Sequence, residues 1–163
     1  MRILFTLTTL ALISSAAAQT PTSYVKNDAA HKTVTIIVNA GEGNDNGGLN
    51  FNGSDHAKTQ FTVPAGWTVQ MQFKNVGMMP HSAIVTAGKT PPSTITAKDA
   101  AFAKAYTTHL TDGLPGGSSA QKVTFKASKA GTYNIVCGVP GHGLGGQYIG
   151  FVVSSSAKTA TYK

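Results

Sequence analysis

Cysteine is almost absent from this chain. Its 163 residues include one, Cys137, so no intramolecular disulfide can form. Arginine is equally scarce, with Arg2 the only one, and the remaining cationic charge is lysine. The lysines are scattered, with no dense run and little aromatic interleaving, which excludes the usual footprint of a nucleic-acid binder. Long apolar runs are missing too. The longest, Ile3 to Ile13, is about eleven residues, short of the roughly 20 that a spanning helix needs. Internal repeats and interdomain linkers are also lacking, so the length fits one domain with a real core.

What is present begins with an export pattern. Met1 and Arg2 give a positive start, the Ile3 to Ile13 run follows, and Ser14 to Ala18 offers small residues before Gln19. That layout predicts a secretory signal peptide over 1–18, the alternative being an uncleaved anchor. The mature protein would then be periplasmic, cell-surface or secreted, with no membrane span. Without those eighteen residues the net charge falls from +7 to +6, a basic surface able to steer an acidic partner. A lone thiol in an oxidising compartment needs burial or metal ligation to protect it.

Residues 19–30 are polar and aperiodic, and are read as a flexible arm. His31 to Ala40 is rich in β-branched residues, a strand signature. Thr59 to Val63 alternates. Trp67 to Asn75 alternates most cleanly, with Trp67, Val69, Met71 and Phe73 on one face. Leu49 to Asn52, His81 to Val85, Lys122 to Lys126, Thr132 to Cys137 and Tyr148 to Val153 read as further strands. Phe102, Tyr106 and Leu110 recur at every fourth position and predict a helix over 97–110, capped by Thr96 or Ser93. Residues 154–163 read as a polar tail. Short strands at regular spacing indicate an all-β sandwich or barrel with one short helical insertion, spanning 31–153.

The chemistry concentrates after the Thr132 to Cys137 strand. Cys137, His142 and Gln147 follow one another at five-residue intervals on an uncharged loop with five glycines and Pro140. A soft thiolate with an imidazole points to copper or zinc, and a weak third donor on the same loop points to copper. A trigonal copper site wants a second histidine. His81 is the best candidate, because it opens an apolar strand behind a Gly-Met-Met-Pro turn. His31, His56 and His109 sit at a strand start, a turn and a helix end, where solvated histidines are common. Met78 and Met79 rival Gln147 as the axial donor, or else pack beside the site and shield it from water. Gln147 in turn could simply hydrogen-bond within its loop. A cysteine hydrolase would need a histidine base with an orienting partner, and a two-copper reductase would need further histidines for a second copper; no credible second metal set is present, so the chain is not expected to be an enzyme.

The Cys-x4-His-x4-Gln pattern, together with Pro80-His81 upstream, resembles the type 1 (blue) copper proteins, the cupredoxins. Within them it is similar to the sulfocyanin-like group, through Leu49-Asn-Phe-Asn-Gly53, Val63-Pro-Ala-Gly-Trp67 and Cys137-Gly-Val-Pro-Gly-His142. The resemblance implies a Greek-key β-sandwich. It also implies one Cu(I)/Cu(II) ion held by His81, Cys137 and His142, and single-electron transfer between redox partners by a monomer. Sulfocyanins usually carry methionine where Gln147 stands, whereas stellacyanin-like proteins carry glutamine. Ser82 replaces the asparagine of many cupredoxins and leaves the loop brace without its customary side chain. An exported protein for copper storage or delivery is the alternative function. A metal-free adhesive sandwich is a further one.

Overall fold

The structure, a computed structural model, describes residues 23–163. The signal-peptide reading lies outside the described residues. Among the described residues, nine strands form two sheets. The first sheet orders β1 (Val25–Asp28), β2 (Thr33–Ala40), β4 (Thr68–Asn75) and β6 (Gln121–Lys126). The second orders β5 (Ile84–Ala87), β7 (Gly131–Val136), β8 (Tyr148–Ser154), β3 (Gln60–Pro64) and β9 (Thr161–Tyr162). The chain changes sheet at every step from β2 to β7, and β2–β4 and β3–β8 are parallel pairs. Period-2 patterning drives this assembly. Val34, Ile36 and Val38 of β2 face the core together with Val69, Met71 and Phe73 of β4, all fully buried. Phe102 stacks on Phe125 at 5.6 Å and leans on Tyr133 at 4.8 Å, sealing the far half of the core.

Three expectations give way. The arm contains β1, whose backbone pairs with β2 in antiparallel register. The polar tail contains β9, because Tyr162 packs on Phe61 at 4.5 Å and bonds Thr59 through its hydroxyl at 2.7 Å. The helix over 97–110 reduces to a 3-10 turn, Ala97–Asp99, capped by Thr96 as expected. Beyond it, Lys104 and His109 take left-handed φ of 62° and 51°, which no α-helix accommodates. The segment lies along β5 instead. The backbone N–H of Ala101 donates to Val85, that of Val85 to Ala105, and that of Thr107 to Ala83. An open sheet edge offers partners to these groups, and it outcompetes the bonds of a helix.

Candidate metal centre

The site occupies one end of the sandwich, where β7 ends and β8 begins. Cys137 follows β7 directly, and its N–H donates to the backbone oxygen of Gln147 at 3.0 Å. Gln147 in turn donates its N–H to the oxygen of His142 at 3.0 Å, so the loop closes on itself. Gly138 shows why the loop needs glycine. A Cβ there would come within 2.5 Å of the Leu110 side chain and 2.7 Å of its carbonyl oxygen. His81 lies just ahead of β5, the edge strand beside β7, its backbone paired with Leu114 in both directions.

One ligand atom each from His81, Cys137 and His142 lie within 4.8 Å of one another. Sγ of Cys137 is 3.6 Å from Nδ1 of His142, and Oε1 of Gln147 is 3.1 Å from the same nitrogen. The two imidazoles meet edge to face, with centroids 5.2 Å apart. His81, Cys137 and Gln147 are fully buried and His142 is half-buried. Burial pushes the Cys137 thiol up, partly opposed by N–H groups of Ser82 and Val139. Burial, then the neighbouring His142 ring, lowers His81 to about 4, and burial also lowers His142.

Both ring nitrogens of His81 are buried without any hydrogen-bond partner. An orphaned imidazole is costly in a core unless it binds something. A thiolate and two neutral imidazoles are the donor set that copper takes. The residues present therefore fit the metal that the sequence suggested.

Ser82 corrects the expectation of a missing brace. Its hydroxyl donates to the Leu110 oxygen at 2.6 Å and accepts from the Gly138 N–H at 2.9 Å, while its own N–H reaches Cys137 Sγ at 3.5 Å. A serine suffices because the strap around Leu110 comes close. Met78 also departs from expectation. Met78 is 96% exposed and shields nothing. The other histidines are not among the converging donors, and each lies beside an aspartate: His31 with Asp28, His109 with Asp112, and His56 with Asp55, although the His56 backbone N–H also donates to Gly146 of the ligand loop at 2.8 Å.

Two buried asparagines that the motif spacing does not single out support the site. Buried Asn50 accepts from Glu42 and Gly53 N–H groups and donates to the Asp45 oxygen, and its backbone oxygen receives the Gln147 amide. Asn75 donates to the Met79 and Leu114 oxygens, both at 2.7 Å, which anchors the turn before His81. Asn75 was discoverable, since it continues the inward face of Trp67, Val69, Met71 and Phe73 as a polar residue.

A two-sheet sandwich that gathers a thiolate and two imidazoles at one end defines a blue copper protein. The family model described as the sulfocyanin (SoxE) domain matches residues 20–163. The chain belongs to the sulfocyanin family. It is 30% identical over 139 residues to sulfocyanin of Sulfolobus acidocaldarius, covering 82% of this chain and 69% of that protein. Auracyanin-A of Chloroflexus aurantiacus is 34% identical over 95 residues, covering 52% of this chain and 59% of that protein. Among solved structures, reduced auracyanin of Roseiflexus castenholzii superposes with a TM-score of 0.54 at 25% identity, covering 74% of this chain and 96% of its own. The copper protein rusticyanin shares the fold, with a TM-score of 0.56 over 81% of this chain and 88% of its own, at 24% identity.

Proposed function

We propose that this chain is a mobile single-electron carrier working outside the cytoplasm, with His81, Cys137 and His142 as strong copper ligands and Gln147 as the weak axial donor. The observation that carries the reading is the convergence of Cys137 Sγ and Gln147 Oε1 on His142 Nδ1, at 3.6 and 3.1 Å. Copper held there supplies a one-electron Cu(I)/Cu(II) couple. The protein's part is to keep the donors still and dry. Ser82 and Asn50 pin two of the segments around the site by buried hydrogen bonds, and glycines let the loop approach the Leu110 strap. A ligand set that moves little between oxidation states keeps the reorganisation small.

His142, the one half-buried donor, is the edge through which electrons leave. Leu144 stands 63% exposed beside it, and with Val139 and Pro140 forms an apolar rim for a redox partner. The +6 charge steers an acidic surface toward that rim. In this reading residues 1–18 are removed on export, 31–153 carry the copper domain, and the protein acts as a monomer. Storage or delivery of copper fits less well, because the thiolate is fully buried. The test is absorption after adding Cu(II). An intense red-region band, reversibly bleached by reductant, is expected; a colourless, stably copper-loaded protein would favour storage.

A further inference from the structure

A second opening lies beside the copper end. A cleft of about 420 Å³ is lined by Met78, Met79, Val76, Gly41, Gly48 and, at its floor, His81. Among the described residues, no carboxylate and no lysine lines it. Bare backbone keeps it open. A Cβ on Gly41, which has a left-handed φ of 68°, would fall 2.7 Å from Gly77 Cα and 3.3 Å from His81 Nε2. That nitrogen, like its ring partner, is buried and has no hydrogen bond. The turn carrying the methionines is held in place, since Asn75 bonds the Met79 and Leu114 oxygens and accepts from the Gly77 N–H at 3.0 Å. Leu114 is also the backbone partner of His81. The backbone of the methionine turn and that of His81 therefore share one hydrogen-bonded frame, from which the Met78 side chain projects into solvent.

We propose that Met78 and Met79 form a capture site for Cu(I) that passes the ion inward to His81 when the centre is loaded. The inference rests on the copper reading of the His81, Cys137 and His142 centre. Thioether sulfur is a soft donor that prefers Cu(I), and a cleft without carboxylates offers hard cations such as Mg²⁺ and Ca²⁺ little. Two thioethers at the surface hold weakly enough to release, and the unpartnered His81 ring is the next donor inward. The handover is ligand exchange without redox change. The sulfur–copper bonds break as His81 and then Cys137 take the ion, and the Cys137 thiol proton leaves to solvent.

The copper-free full chain is offered Cu(I) as its bicinchoninate complex without oxygen, and loss of the chelate colour is timed. The variant M78L/M79L keeps the volume and removes both sulfurs. It should take up Cu(I) at least about tenfold more slowly, on the scale of losing a supporting metal contact. Final copper content and the red band after oxidation should match the wild type. Cu(II) uptake by this variant, and Cu(I) uptake by Leu144→Ala, should keep the wild-type rate. Equal Cu(I) rates in wild type and double variant, or equal slowing of Cu(II), would overturn the capture role. So would a changed band, which would make the methionines part of the finished centre. No band in the wild type would overturn the copper reading, and this inference with it.

Discussion

The side-chain nitrogen of Gln147 donates to the backbone oxygen of Asn50 at 3.0 Å. A carbonyl oxygen only accepts, so the amide has one allowed orientation, and its oxygen faces Nδ1 of His142 at 3.1 Å. The loop around Asn50 therefore aims Gln147 at the metal centre from 97 residues away in sequence.

Gln147 follows from this. An amide oxygen is a harder donor than a thioether and favours Cu(II), so Gln147→Met should raise the reduction potential. Gln147→Leu should raise it further by removing the donor. For a one-electron couple about 59 mV is tenfold in equilibrium constant. Voltammetry of the three proteins at one pH, with metal content checked, decides it; equal potentials would remove Gln147 from the axial position.

Asn50 acts one step further out. Asn50→Ala leaves the part-buried N–H of Glu42 and the oxygen of Asp45 without their partner. The loss should cost about 1–3 kcal/mol in denaturant unfolding. Loosening the Gln147 acceptor should also move the potential toward that of Gln147→Leu. Lower stability with an unchanged potential would make Asn50 a purely structural residue.

The strong ligands separate cleanly by colour. Cys137→Ser and His81→Gly should each abolish the red band while circular dichroism still reports the sandwich. Substituting His31, His56 or His109 should leave the band intact, since none of them is among the converging donors. A coloured serine variant would rule out Cys137 as the source of the band.

Acid should weaken the metal-free protein through its buried histidine, His81. His81 drops from an ordinary 6.5 to about 4 on burial and beside the His142 ring. Between those values the unfolded chain binds a proton that the folded chain refuses, so this stability is full above 6.5 and is lost as pH falls toward about 4. Asp55, lowered from 3.8 by its bonds to Lys58 and His56, gives up its share only below that value. Denaturant midpoints should therefore fall from about pH 7 to about pH 4.5, and His81→Gln should reduce the slope, leaving the share of His142, which burial also lowers. The wild-type slope persisting in that variant would assign the effect to another group.

Partner docking has its own signature. If lysines steer association, the rate with the physiological partner should fall steeply as salt rises, since the Debye length shortens to about 8 Å at 0.15 M. Flat dependence would leave the apolar rim around Leu144 as the whole contact.

Local pattern alone determined much of this protein. Alternation in Thr68–Asn75 and β-branched runs in Thr33–Ala40 announced core strands, because a strand's side-chain period is written directly in its residues. The spacing of Cys137, His142 and Gln147 announced a metal loop for the same reason, all three donors lying on one short segment. Tertiary structure decided what local periodicity could not. Phe102, Tyr106 and Leu110 keep a helical spacing, yet their backbone runs beside β5, where an unpaired edge supplies hydrogen bonds. Val25–Asp28 and Thr161–Tyr162 look like polar ends and become strands only because neighbouring edges accept them. Ser82 becomes a brace only because Leu110 and Gly138 come within reach of one hydroxyl. Each of these depends on contacts between residues far apart in the chain, and such contacts leave no period to read.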